Sequence, residues 1–133
     1  MPARRPQVPP NCDLWLGLSC IDKSVPGISV WTMTPPLQME NPAGVVQGGF
    51  LAAMSDTAMA AAAVTASAVR AFVANTELSI SFLRPARVGQ RLTCTARVLG
   101  GDSQVKFVEA TITGPEEILI AKASSTYVLT PRD

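Results

Sequence analysis

The chain has 133 residues, 47% of them hydrophobic and 16% charged, with a net charge of +1 and no histidine. The length fits one domain, and the near-zero charge offers no general attraction for nucleic acid or an acidic membrane surface. The missing imidazole excludes Ser-His-Asp and Cys-His chemistry, histidine-based dehydration and most zinc sites, so no metal centre is expected.

Any acid–base chemistry must therefore come from carboxylates, Lys, Tyr, Cys or water. The three cysteines, Cys12, Cys20 and Cys94, form no CxxC pair and suit a reducing compartment better than a disulfide framework. The start, Met1-Pro2-Ala3-Arg4-Arg5-Pro6, is basic, but proline stands where a signal peptide needs an apolar core. Asp56 interrupts the best apolar window, so no membrane span is expected. The expected location is the cytoplasm. So apolar a chain has more hydrophobic surface than a monomer of this size easily hides, which points to subunit assembly.

In chain order, residues 1–10 are proline-rich and read as a flexible arm; residues 11–133 read as one domain. Asn11 to Leu18 reads as a short helix capped by Asn11, with Trp15 packed on a sheet edge. Strands are expected over Cys20–Ser24 and Ile28–Thr34, the second closed by Pro35-Pro36. Asn41-Pro42 and Gly44 mark a turn in the loop Leu37–Val46. A helix follows from Gln47 or Gly48 to about Ser67. Nine of the 17 residues from Ala52 to Ala68 are alanine, the best helix former. Apolar residues lie all round it, the pattern of a buried helix. Period-2 alternation marks strands over Thr76–Phe82 and Arg91–Val98. Gly100-Gly101-Asp102 turns into a strand over Gln104–Thr113, and Gly114-Pro115 into a last one over Ile118–Leu129. The expected fold is α+β: one long helix inside a curled antiparallel sheet, the last four strands forming a meander.

One loop stands out. Asn41-Pro42-Ala43-Gly44-Val45-Val46-Gln47-Gly48-Gly49 leads into the helix, and Asp56 follows nine residues after Gln47. This pattern, with Thr76-Glu77-Leu78-Ser79-Ile80-Ser81-Phe82-Leu83-Arg84-Pro85-Ala86, Gly89 and Ala123-Ser124-Ser125-Thr126-Tyr127, resembles the hotdog-fold acyl-CoA thioesterases of the phenylacetate-pathway type over residues 12 to 130. The family pattern has histidine where this chain has Gln47. Gln donates an amide N–H but exchanges no proton near neutral pH. The resemblance implies hydrolysis of an apolar or aryl acyl-CoA with no cofactor beyond the coenzyme A of the substrate. It also implies a homodimer or homotetramer.

A helix start offers free N–H groups and a positive dipole end, and glycines without a β-carbon let a carbonyl approach. Gly48 is thus the expected oxyanion donor, with Gln47 assisting and Gly49 beside it. Eight residues further on, Asp56 lies roughly 12 Å along the axis, too far to serve the same carbonyl within one subunit. The family's solution is a site shared between subunits, Asp56 acting as general base or nucleophile. A plain polar stripe is the alternative for Asp56. Asn41 is a further site candidate or simply an Asx-turn residue. Thr57, Asn75 and Thr76 are candidates around the substrate, and Arg84, Arg87 and Arg70 for the phosphates of coenzyme A. Phe50, Leu51, Met54, Met59 and Ala60 line an acyl pocket or belong to the core. A ligand-binding protein without catalysis, or a purely structural module, are the competing functions.

Overall fold

The computed structural model describes residues 8–132, so most of the expected N-terminal arm lies outside the described residues. Helix α1 spans Asn11–Leu16 and strands β1 and β2 span Ser19–Asp22 and Ile28–Met33. A single 3₁₀ turn, Leu37–Met39, precedes helix α2, Gly48–Thr65. Four strands follow: β3 Ala71–Phe82, β4 Leu92–Gly101, β5 Val105–Thr113 and β6 Leu119–Pro131. They form one antiparallel sheet in the order β1-β2-β4-β5-β6-β3. The expected meander holds for β4, β5 and β6 only. β3 crosses the sheet to pair with β6 and becomes an edge, while β2 takes the place beside β4.

The side chains on the concave face explain why α2 sits where it does. Ala96, Ala110 and Ala123 stand in register across β4, β5 and β6, and all three are buried. Helix residues Ala58, Ala62 and Ala63 meet this face and are fully buried. Small side chains on both surfaces let helix and sheet approach closely. The buried residues of α2 are Leu51, Met54, Ser55, Ala58, Met59, Ala62 and Ala63, a stripe at spacings of three and four. Ala52, Ala53, Asp56, Thr57, Ala60 and Ala61 are only half-buried. The sheet therefore covers one side of the helix, and the expectation of burial all round is corrected. Alanine reads alike on both faces, so the sequence showed no amphipathic contrast.

A buried polar chain pins the sheet-facing side of the helix. Buried Ser29 on β2 donates to the Ala58 carbonyl at 2.6 Å and accepts the Trp31 indole N–H at 3.2 Å. On the open side, Thr57 donates to the buried carboxylate of Asp13 at 3.1 Å, tying α1 to α2. The cap residue of α1 is Pro10 rather than Asn11. Trp15 does not pack on a sheet edge as expected. It is 70% exposed and stacks on Phe50 of α2 with ring centroids 6.2 Å apart.

Candidate active site

The loop before α2 is held by its own atoms. Asn41 Oδ1 accepts the N–H groups of Ala43 and Val45 at 3.0 and 3.3 Å, and the Gly44 N–H bonds the Asn41 carbonyl at 2.9 Å. Gly44 has φ of 79°, a left-handed conformation in which a β-carbon is strained. Val46 and Gln47 donate to Ala86 and Met39 carbonyls, both at 2.8 Å. The chain thus enters the helix at a fixed angle. Asn41 is engaged in shaping that entry.

Among the described residues, the N–H groups of Gly48 and Gly49 have no acceptor. They belong to the first turn, whose donors have no helical partner. Both glycines line an open cleft of about 590 Å³, together with Gln47, Leu51, Phe82 and Arg84. The Gln47 side chain is exposed and makes no capping bond. A β-carbon at position 48 would lie 2.7 Å from Cζ of Phe82. The Phe82 ring is thus what requires glycine at position 48, whereas Gly49 faces open space.

A second, more apolar crevice of about 480 Å³ lies on the other side of the same turn. It shares Gln47 and Gly49 with the first and adds Trp15, Phe50 and Ala53. Of the expected acyl-pocket residues, Phe50 and Leu51 reach these clefts. Met54 and Met59 are fully buried core residues instead, because they fall on the sheet-facing stripe.

Asp56 lines neither cleft of its own chain. Its carboxylate is directed to β6 and β3. Tyr127 donates to Oδ1 at 2.6 Å and Asn75 donates to the same oxygen at 3.2 Å. Oδ2 has no protein partner among the described residues. No buried side-chain oxygen there lacks a partner, so Oδ2 is reached by solvent. Burial, followed by the bond to Asp56 and its charge, pushes the Tyr127 phenol far above its ordinary range. The phenol therefore stays protonated near neutral pH and is held as a donor to Oδ1. Ser125 completes the set: its hydroxyl accepts from Asn75 at 3.2 Å and donates to the Glu77 carbonyl at a bulge in β3.

Other expected residues fall elsewhere. Thr57 faces α1 through its bond to Asp13. Thr76 is exposed at the bulge and bonds Glu77. Arg84 lines the first cleft, with one guanidinium N–H on the Leu119 carbonyl at 3.0 Å. Arg87 reaches the Gly44 carbonyl at 3.3 Å. Arg70 follows the opposite, C-terminal end of α2. Tyr127 and Ser125 were missed as site residues. The available signal was a hydroxyl on the inward face of β6, since a buried tyrosine O–H needs a partner. Burial raises the Cys94 thiol to about 12, against a weaker opposite effect of Ser55. As a thiol it is inert near neutral pH.

A family model of the thioesterase superfamily matches residues 43–120, more than half of the chain, including all of α2 and β3. The chain belongs to the thioesterase superfamily. Members are thioester hydrolases, and this thioesterase has the hotdog architecture of PaaI from the phenylacetic acid degradation operon of E. coli. That structure shares 28% identity and a TM-score of 0.83, covering 90% of this chain and 83% of the other. PaaI of Thermus thermophilus gives 22% identity and a TM-score of 0.79, over 87% and 96% of the two chains. The protein smu.793 of Streptococcus mutans UA159, solved bound to acetyl CoA, gives 20% identity and a TM-score of 0.79, over 86% and 90%. A sequence comparison with curated proteins finds no match. No helix among the described residues is long and apolar enough to cross a membrane.

Proposed function

We propose that this thioesterase hydrolyses an apolar or aryl acyl-CoA, with Asp56 as general base, in a site shared by two subunits of a homodimer or homotetramer. The observation that carries the reading is the state of Asp56. One oxygen is held by two donors and the other is left to water. Oδ2 takes a proton from water as the water oxygen adds to the thioester carbonyl. The resulting oxyanion is met by the Gly48 N–H, with the Gly49 N–H and the Gln47 amide beside it. Collapse expels the coenzyme A thiolate. A thiol with an ordinary pKa of about 8.5 leaves without a strong acid, so Gln47 suffices where the related pattern has histidine. Nucleophilic attack by Oδ2 on the carbonyl is the other route open to the same carboxylate.

Two features support the shared site. Asp56 lies on the uncovered face of α2, away from the cleft that holds the free N–H groups. The long strand β3 is an edge of the sheet, a ready surface for a second copy. Arg84 and Arg87 on the cleft side suit the phosphates of coenzyme A. The two candidate clefts are complementary in chemistry: one carries Arg84, the other Trp15 and Phe50, fitting the two ends of an acyl-CoA.

The deciding experiment measures a panel of acyl-CoAs with the parent and with Asp56→Ala. The expected result is turnover by the parent and a loss of at least about a hundredfold in the variant, the range for removing one catalytic acid–base group. Turnover that survives the change unaltered sinks the reading. Tight binding of acyl-CoA with no turnover by the parent favours a second one, a ligand-binding protein. That alternative rests on Gln47, which has no titratable proton.

A further inference from the structure

We infer that Tyr127 is a positioning residue for the reaction: its phenol clamps Oδ1 of Asp56 and thereby fixes which oxygen faces the water. The inference rests on Asp56 being the base. Tyr127 is 1% exposed, on the inward face of β6. Its oxygen lies 2.6 Å from Asp56 Oδ1 and 3.1 Å from the main-chain oxygen of the same residue. One hydroxyl thus spans the side chain and the backbone of Asp56, which ties the carboxylate torsions to the helix. Asn75 reaches the same Oδ1, but at 3.2 Å, from a half-buried position, and it divides its amide between Asp56 and Ser125. It is the weaker anchor. Neither donor approaches Oδ2. A carboxylate on an uncovered helix face would otherwise sample several staggered rotamers, and most of them carry Oδ2 away from one fixed water position.

A merely structural tyrosine would be satisfied by the Asp56 main-chain oxygen alone. The two roles separate in a double-mutant cycle. With Tyr127→Phe, kcat falls roughly ten- to hundredfold while KM stays within about twofold, as expected for lost alignment rather than lost binding. In an Asp56→Asn background, adding Tyr127→Phe changes the residual rate by less than about twofold, because no base is left to align. Equal losses in both backgrounds overturn the inference, and so does an unchanged kcat in the single variant. If Asp56→Asn alone leaves the rate intact, the catalytic reading of Asp56 has failed instead.

A second measurement does not depend on Tyr127→Phe folding. Tyr127 is the one tyrosine of the chain, so the C–O stretching band of ring-labelled tyrosine in the infrared spectrum reports it alone. Asp56→Asn replaces the carboxylate 2.6 Å from the phenol by a neutral amide and shifts that band near neutral pH. An unmoved band shows that the phenol does not bond the carboxylate, and overturns the inference.

Discussion

The two sides of α2 are both rich in alanine and have opposite fates. Facing the sheet, Leu51, Met54, Ala58, Met59, Ala62 and Ala63 are sealed from water. Facing away, Ala52, Ala53, Ala60 and Ala61 surround Asp56 and Thr57 and are only half-buried. The first side is closed by small side chains matched across three strands. The second carries Asp56 and Thr57, and its covering is incomplete within one chain. Side chains of the sealed side should therefore set stability, and those of the open side should set activity.

Met54→Ala breaks the comparison most severely. Removing a fully buried methionine side chain is expected to cost about 2–5 kcal/mol, read as a lower denaturation midpoint in urea. Asp56→Ala, by contrast, is expected to shift that midpoint by no more than about 1 kcal/mol while removing turnover, because Tyr127 keeps the main-chain oxygen as acceptor. Comparable stability losses from both changes would collapse the distinction.

Alkali probes the seam between the sides. The folded state holds the Tyr127 phenol above its ordinary value, through burial first and Asp56 second. The unfolded chain loses that proton from about pH 10, whereas the folded chain keeps it. Folding therefore loses stability as pH rises above about 10, through the folded ionisation. Urea midpoints of the parent and of Tyr127→Phe at about pH 8 and about pH 10.5 check the assignment: the buried Cys94 thiol adds a loss of the same sign in both, so the parent should fall further, and an equal fall contradicts it.

Thr57→Val marks a place where the open side also carries stability, because α1 is tied there. It removes the donor to Asp13 and loosens α1, for an expected cost of about 1–3 kcal/mol because the buried carboxylate loses a partner. The smallest effect concerns reactivity. A thiol reagent at neutral pH is expected to modify the exposed Cys12 and Cys20 quickly and the buried Cys94 only on unfolding. Three fast thiols would mean that the sealed side opens.

Much of this was legible in the sequence for a physical reason. The Asn41–Gly49 loop declares itself by turn residues whose conformations few others adopt, and the alanine run by helix propensity. The strands show their period of two. What stayed hidden depended on contacts between distant residues. Tyr127 meets Asp56 across 71 positions, and nothing local marks that meeting. β3 pairs with β6 rather than β4 because the long connection through Arg84–Gly89 carries the chain across the sheet. Trp15 had an apolar ring to bury, but its neighbour turned out to be Phe50 rather than the sheet. Gly48 could be recognised as a necessary glycine, yet not that Phe82 uses its space.

The alanine row under α2 has a mechanical consequence. Where Ala58, Ala62 and Ala63 rest on methyl groups, the helix meets a smooth track with few knobs to fix its position along its own axis. The Ser29 hydroxyl on the Ala58 carbonyl acts as a locating pin, far from Gly48 and on the opposite face from Asp56. The alignment of the helix start and the carboxylate with their surroundings is thus set partly by an oxygen that touches neither.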